Sequence, residues 1–266
     1  MPDYIYKYEP FSPQSLKNLK AQSIYYGSPL EFNDPYDCAI TPKIKDPSPD
    51  DIIKLRNYYH KRFHGNDVAA SELSSLNDSQ FKEMVVRSTR AAIQKRLGEF
   101  LATKGVTCFS EKNDNLLMWS HYGGRYKGFC LEFDTSYHPF DKLRKVTYSK
   151  EMPIIDAVTL LMHDTTDQVI DMYTTKSDAW RYEKEWRSIH STKGTLYTYE
   201  ASALTAVYFG PDIDEQSMEI ICLILSGQNE TVKYFRGKRS EDKFEVNFEG
   251  FDYVSHLEAK RLGLIT

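Results

Sequence analysis

Gly105-Val106-Thr107-Cys108-Phe109-Ser110 is the stretch that decides the fold class, because this short, mostly apolar run predicts a buried strand. It directly follows a block, from Asp50 to about Lys104, whose pattern is helical. Further strands are predicted elsewhere along the chain, at Tyr4–Tyr8, Ser23–Tyr26, Gly128–Phe133, Leu143–Tyr148, Glu183–Ile189, Leu204–Gly210 and Phe244–Phe248. Further helices are predicted at Ser15–Lys20, Asn115–Tyr122, Asp156–Tyr173 and Glu215–Gly227.

Strands scattered among irregular helices indicate an α+β fold with central mixed or antiparallel sheets and flanking helices. The pattern does not repeat strand–helix–strand units, and it contains no internal repeat or long linker. We therefore expect a single α+β domain over residues 1–266, with a helical insertion at about 50–104.

Composition excludes several classes of protein. Hydrophobic residues make up 41% of the 266 residues and charged residues 27%, which is typical of a globular chain. The net charge of -4 provides no global basic field for nucleic acid, although the 14% of aromatic residues suits ligand or nucleobase sites. No run approaches the roughly 18 apolar residues of a membrane span, and the first residues are no signal peptide. We expect a cytoplasmic protein with no membrane partner. The four cysteines include no CxxC pair, so a zinc site of the usual spacing is not expected.

The first candidate site is the turn Phe32-Asn33-Asp34-Pro35-Tyr36-Asp37. Asn and Asp before Pro favour a structural turn, because their side chains bond to nearby backbone. Asn33, Asp34 and Asp37 are also packed closely enough to bind a polar ligand or a metal.

The second candidate site is the run Met118-Trp119-Ser120-His121-Tyr122, followed by two glycines. His121 can donate or accept a proton near neutral pH, or it can serve as a packing residue. Gly123 and Gly124 would let a ligand approach the backbone closely.

The third candidate site is Trp180-Arg181-Tyr182-Glu183-Lys184-Glu185-Trp186-Arg187. In a strand, Glu183, Glu185 and Arg187 would share one face, with the aromatic side chains on the other. A solvated edge strand can have this pattern. Alternatively, Arg187 pairs with one carboxylate and leaves the other to do chemistry.

These motifs resemble the bacterial domain-of-unknown-function 2971 family, in order from about Tyr4 to Gly210. The family name implies kinship and no activity. The motifs that carry the resemblance are Tyr6-Lys7-Tyr8, Ile24-Tyr25-Tyr26-Gly27-Ser28-Pro29, Phe32–Asp37, Cys108-Phe109-Ser110, Met118–Tyr122, Gly128–Phe133 and Trp180–Arg187.

The order of parts also resembles an ADP-ribosyltransferase-type fold, in which a first strand holds NAD, a second ends in an aromatic or Ser segment, and a late strand bears a catalytic Glu. This resemblance implies NAD as substrate, Glu185 as the residue that stabilises the developing positive charge, and Glu183 or His121 as the group that orients the acceptor. Tyr26 or Trp119 would stack on nicotinamide. A toxin or defence effector with a protein or nucleic-acid acceptor would suit this activity. The residues expected to bind substrate or cofactor are Tyr6, Lys7, Tyr8, Tyr26, Ser28, Asn33, Asp34, Asp37, Ser110, Trp119, Tyr122 and Arg187.

Two alternatives to an NAD-dependent enzyme follow from the same residues. In a metal-dependent nuclease, the carboxylates of the two acidic motifs would hold Mg²⁺, and Lys176 or Lys184 would face a phosphate. In a binding module without catalysis, aromatic platforms and Arg187 would hold a nucleotide or a nucleic-acid end. The carboxylates that the nuclease would use are Asp34, Asp37, Glu183 and Glu185.

Overall fold

The computed structural model describes residues 1–38, 41–65, 67–162 and 166–264. The strands are β1 (Tyr4–Glu9), β2 (Ser23–Tyr26), β3 (Lys43–Ile44), β4 (Gly105–Ser110), β5 (Phe129–Asp134), β6 (Arg144–Lys145), β7 (Thr147–Ser149), β8 (Ile154–Ile155), β9 (Thr175–Ser177), β10 (Glu185–His190), β11 (Thr195–Thr198), β12 (Leu204–Phe209), β13 (Lys233–Arg239) and β14 (Val246–Phe251). The α-helices are α1 (Pro13–Lys20), α2 (Pro49–Arg62), α3 (Asp67–Ser75), α4 (Asp78–Thr103), α5 (Leu116–His121), α6 (Ala157–Met162), α7 (Thr166–Tyr173), α8 (Glu215–Ser226) and α9 (His256–Arg261). The α+β class predicted from the sequence is confirmed.

The chain forms two compact units. The first unit contains residues 1–28, 105–146 and 179–266, and the second contains residues 29–104 and 147–178. The helical block predicted at about 50–104 lies in the second unit. The prediction of a single domain stays a prediction.

An eight-stranded mixed sheet is the centre of the first unit, in the order β14-β13-β12-β5-β1-β4-β10-β6. Its neighbouring strands are antiparallel except for β12 and β13, which are joined through α8 and run parallel. The first strand lies between β4 and β5, so its side chains are at the middle of the sheet. Gly128 and Gly210 lie where main chains approach closely, since an added Cβ would be 2.2 Å from the carbonyl oxygens of Glu9 and Tyr126 respectively.

The two faces of this sheet carry different cores. On one face, Ile5, Phe133 and Val207 pack with apolar side chains of α1 and α8, such as Leu19 and Ile221. Fully burying one such side chain contributes roughly 1.5–3 kcal/mol.

On the opposite face, Tyr8, Cys130 and Tyr208 pack with Met118 and Trp119 of α5. The alternation of strand side chains therefore determines which polar residues of β1, β4, β5 and β10 share the α5 side.

The second unit is built around helices. Its long helix α4 is capped by Asn77, whose side chain accepts a hydrogen bond from the Gln80 amide while the Gln80 side chain accepts one from the Asn77 amide. Phe81 and Val85 of α4 pack with Leu55 of α2 and Ala157 of α6. Residues 163–165 of the helix predicted at Asp156–Tyr173 lie outside the described residues, and α6 and α7 occupy the rest of that range.

Several predicted boundaries are wrong. The strand predicted at Leu143–Tyr148 is divided between β6 and β7, which belong to different sheets. The strand predicted at Glu183–Ile189 begins at Glu185, because residues Asp178–Glu183 form a 3-10 helix. Strand β13 was not predicted, because its four cations, at Lys233, Arg236, Lys238 and Arg239, hide the alternation expected of a strand.

Candidate functional site

One row of side chains crosses four strands on the α5 face of the large sheet. Strand pairing places Glu185 of β10 opposite Ser110 of β4, Ser110 opposite Tyr6 of β1, and Tyr6 opposite Glu132 of β5. Residues directly opposite each other in antiparallel strands point to the same face. Three of these four positions, Tyr6, Ser110 and Glu185, were predicted from the sequence.

Glu185 and Arg187 form a buried ion pair within β10. The Arg187 Nε and Nη2 atoms donate hydrogen bonds of 2.6 and 3.0 Å to the two carboxylate oxygens of Glu185. Arg187 is 0% exposed and Glu185 is 3% exposed. Two parallel hydrogen bonds of this kind fix both the charge and the orientation of a carboxylate. The common face predicted for Glu185 and Arg187 is confirmed by their alternate positions in the strand.

Glu183 does not follow the strand phase that the sequence predicted. It ends the 3-10 helix Asp178–Glu183, and Lys184 then takes a left-handed conformation with φ of 49° before β10 begins. Glu183 is nevertheless buried beside the row. Its carboxylate accepts a 2.7 Å hydrogen bond from the Tyr122 hydroxyl, and its carbonyl oxygen accepts one of 2.7 Å from the Ser110 hydroxyl.

The α5 helix carries the second predicted cluster. It is capped by Asn115, whose side chain accepts hydrogen bonds from the amides of Leu117 and Met118. Trp119 is fully buried and donates its Nε1 hydrogen bond to the carbonyl oxygen of Asn113, 2.7 Å away. Because Trp119 is a core residue, the structure does not present it as a platform for nicotinamide.

His121 is exposed at the end of α5, near two aromatic side chains of the 3-10 helix. Its ring centroid lies 6.4 Å from that of Trp180 and 6.4 Å from that of Tyr182. The glycine that follows Tyr122 has its own structural role, since a Cβ at Gly123 would lie 2.5 Å from the Trp119 ring.

The three residues of the first-strand motif do not share a face. Tyr6 and Tyr8 lie on the α5 face, and Lys7 lies on the other, where its Nζ is 5.5 Å from the centre of the Phe109 ring. Tyr8 is buried and donates a hydrogen bond to the Lys112 carbonyl oxygen. Lys7 is therefore not brought together with Glu185.

Tyr26 also lies away from the row. Its hydroxyl is 2.8 Å from the hydroxyl of Ser188, which alternates with Arg187 along β10 and so faces the other side of the sheet. Tyr26 is 2% exposed, and the nearby Ser28 is also buried. The Tyr26 side chain is therefore not presented to a ligand on the α5 face.

Glu132 is the member of the row that the sequence analysis missed. One carboxylate oxygen accepts a 2.7 Å hydrogen bond from the Thr205 hydroxyl, and the other accepts one of 2.7 Å from the Tyr208 hydroxyl. Burial, followed by the charge and hydrogen bonding of Glu132, raises the pKa of Tyr6. The available signal was an acidic residue flanked on both sides by apolar residues, Leu131 and Phe133, within the strand Phe129–Asp134.

The predicted turn at Phe32–Asp37 belongs to the second unit. The Asp34 carboxylate accepts a 2.9 Å hydrogen bond from the Tyr36 amide, which is the local bonding that favours a turn at Asn-Asp-Pro. Asp37 forms a buried ion pair with Lys176, with 3.2 Å between Oδ2 and Nζ. Asn33 lies in the same turn, and a shared site with Glu185 stays a prediction.

Neither a metal cluster nor a membrane helix is found in the described part of the chain. Residues 1–38, 41–65, 67–162 and 166–264 contain no group of three or more His, Cys, Asp or Glu side chains placed to hold a metal ion. Within those same ranges, no helix has the length and apolar character needed to cross a membrane.

The fold and the row define an α+β protein with a buried Glu–Arg pair on the α5 face of a mixed sheet. Residues 118–188 match the model of a family described as protein of unknown function (DUF2971). This segment includes the Met118–Tyr122 motif and the Trp180–Arg187 motif, so the first resemblance is confirmed. No curated protein and no solved structure matches the chain.

Proposed function

We propose that this protein is an ADP-ribosyltransferase-like enzyme that acts on NAD, with Glu185 as its catalytic carboxylate. The observation that supports the proposal is the row Tyr6–Ser110–Glu185 on three adjacent strands. The resemblance implies a polar residue on a first strand, a Ser segment on a second and a Glu on a late strand. The whole motif Tyr6-Lys7-Tyr8 was expected to supply the polar residue of the first strand, and we assign that position to Tyr6.

The proposed reaction breaks the bond between the ribose C1′ and nicotinamide, and the bonding electron pair leaves with nicotinamide. Positive charge develops on the ribose, and a fixed carboxylate beside it stabilises that charge. Arg187 holds Glu185 through both oxygens, which favours the ionised form that this role requires. The acceptor then bonds to C1′ and loses its proton to a base, for which Glu183 or His121 is the candidate.

The burial of Glu185 sets a condition on this proposal. A ribose cannot reach a carboxylate that is 3% exposed unless neighbouring chain moves. The turn at Lys184, with its left-handed backbone, directly precedes Glu185 and is the natural hinge for such a movement.

The test measures nicotinamide release and label transfer from adenylate-labelled NAD, with and without cell lysate. We expect Glu185→Gln to lower the rate by about 100-fold or more, as for other groups that stabilise transition-state charge. The matched control is Glu249→Gln, which removes an exposed carboxylate from the same sheet and should leave the rate unchanged.

Binding of a non-cleavable NAD analogue separates chemistry from folding. Glu185→Gln should bind the analogue about as tightly as the wild type does, because its role is in the transition state. No nicotinamide release by the wild type across many acceptors would contradict the proposal, and so would a fully active Glu185→Gln variant.

A nucleotide-binding module without catalysis is the second candidate, and the cluster of His121, Trp180 and Tyr182 favours it. The Trp180 and Tyr182 rings lie 6.0 Å apart at 41°, on residues that are partly exposed. Aromatic side chains of this kind stack on bases of any sequence. Nucleotide binding that is lost in Trp180→Ala but unchanged in Glu185→Gln, with no turnover by the wild type, would favour this candidate over the enzyme.

A further inference from the structure

Glu132 is a partly exposed carboxylate at the centre of the large sheet, on the α5 face. Its two oxygens are oriented by hydroxyl groups, since Thr205 donates to one and Tyr208 to the other, at 2.7 Å each. Hydroxyl donors satisfy hydrogen bonding but do not neutralise charge. Tyr6 also hydrogen-bonds to Glu132, and because a carboxylate accepts about four hydrogen bonds, these three hydroxyl donors leave room for another.

The Glu132 carboxylate lacks a charged partner among the residues that the structure describes. In the ranges that the structure describes, Glu132 forms no ion pair with a lysine, arginine or histidine. Lys7 lies on the opposite face of the sheet, where it is 3.6 Å from Glu9. Charged groups that are partly buried in proteins are usually paired.

Neighbouring side chains respond to the uncompensated charge. Burial raises the pKa of Tyr6, Tyr208 and Cys130, and the negative charge of Glu132 raises each of them further. The local field on this face is therefore negative, and a bound cation would relieve it.

Two tyrosines hydrogen-bond to the carboxylate, and further aromatic rings pack against one of them. The Tyr6 and Tyr208 rings meet edge to face at 5.9 Å, and Phe235 and Phe248 lie 4.8 and 4.9 Å from Tyr208. Tyr6, Phe235 and Phe248 are partly exposed. A carboxylate beside aromatic rings is the usual recognition site for organic cations, which combine an ion pair with cation–π contacts.

We propose that Glu132, Tyr6 and Tyr208 form a binding site for an organic cation, a guanidinium or ammonium group carried by a ligand or partner. The cation pairs with the Glu132 carboxylate and lies against the partly exposed Tyr6 ring, while the buried Tyr208 orients the carboxylate through its hydroxyl. This site is three strands away from Glu185 along the row, roughly 14 Å at the usual spacing of strands. It does not require that the protein react with NAD.

The test uses small cations without NAD. Wild-type protein with ¹³C-labelled tyrosine rings is titrated at low ionic strength with ethylguanidinium, with ethylammonium and with the neutral N-ethylacetamide. Tyr6→Phe and Tyr208→Phe variants assign the two resonances. We expect at least one cation to shift the Tyr6 and Tyr208 signals in a saturable way and the neutral compound to leave them unchanged. The cation that binds more tightly shows whether the site prefers a guanidinium or an ammonium group.

Charge removal provides the second arm of the test. Glu132→Gln keeps the shape of the side chain and should weaken cation binding by about tenfold or more, because it removes the ion pair. Glu249→Gln, an exposed carboxylate of the same sheet, is the matched control and should bind like the wild type.

Either of two results would overturn the site: Tyr6 and Tyr208 signals that do not move with either cation, or equal binding by wild type and a folded Glu132→Gln. If Glu132→Gln does not fold, the wild-type titration still decides. Since no NAD is present, a negative NAD assay leaves this result unaffected.

Discussion

The Glu185–Arg187 pair is buried, which costs free energy because both ions lose water, and it contains the carboxylate proposed to be catalytic. Both side chains are almost fully removed from water, and each carboxylate oxygen of Glu185 accepts one guanidinium hydrogen bond. Removing ions from water costs several kcal/mol per ion, which the pair offsets only while both partners are present. A pair of this kind is thus weak evidence for stability alone, and the row that contains it makes a functional role worth testing.

Arg187→Met tests how strongly the two residues depend on each other. It leaves the buried Glu185 carboxylate without its guanidinium partner, and we expect the free energy of unfolding to fall by about 3–5 kcal/mol. The double variant Glu185→Leu with Arg187→Met removes both charges and should recover a large part of that loss. Urea denaturation measures the three variants.

Lys145→Met provides the control for loss of a cation. Lys145 is exposed and pairs with Glu111 at 2.8 Å, so its removal should cost at most about 1 kcal/mol. Equal stability of Arg187→Met and Lys145→Met would show that the buried pair has no special energetic role.

At the scale of elements, the turn between the 3-10 helix and β10 separates the two glutamates. Lys184 adopts a φ of 49°, a left-handed backbone conformation that residues other than glycine rarely take. Its amide donates a hydrogen bond to the Arg181 carbonyl oxygen and its carbonyl oxygen accepts one from the Glu111 amide, and a movement of the turn would have to break these bonds. This turn places Glu183 outside the strand and allows its carbonyl oxygen to accept from Ser110.

Lys184→Gly should stabilise the protein by about 1 kcal/mol, because glycine takes a left-handed conformation without steric cost. The same substitution at Lys233, an exposed residue of β13 with ordinary strand geometry, should destabilise by about 0.5–1 kcal/mol. Chemical denaturation compares the two variants. If Lys184→Gly is as destabilising as Lys233→Gly, then backbone strain at Lys184 is absent.

Apolar periodicity predicted the strands that form the middle of the sheet, β1, β4, β5 and β12, because each buries a regular set of side chains. It failed where long-range pairing rather than local sequence determines structure. Strand β13 is held by main-chain pairing with β12 and β14, and its cations mask any pattern. The site residues were likewise predicted where local sequence determines them and missed where long-range pairing does. Strand phase identified the common face of Glu185 and Arg187, whereas the register that places Glu132 beside Tyr6 joins strands more than 120 residues apart.

At the scale of the whole molecule, buried tyrosines in both units make the stability of the fold depend on pH in the alkaline range. Burial, the largest cause in each case, raises the pKa of several tyrosine hydroxyls above the ordinary value of 10.0, and it raises that of Tyr173 in the second unit to about 12. The corresponding tyrosines of the first unit are Tyr6, Tyr8, Tyr199, Tyr208 and Tyr234.

These raised pKa values determine the sign of the pH dependence. Below about pH 10, both folded and unfolded chains keep these protons, and the contribution of the tyrosines to stability is complete. Above that pH, the unfolded chain releases protons that the folded chain retains, so the free energy of unfolding falls as pH rises toward the folded pKa values.

Absorbance at 295 nm and circular dichroism, recorded together from pH 8 to 13, measure this dependence. The tyrosines with raised pKa values should ionise only as the circular dichroism signal is lost, and their ionisation near pH 10 in a chain that stays folded would contradict the prediction.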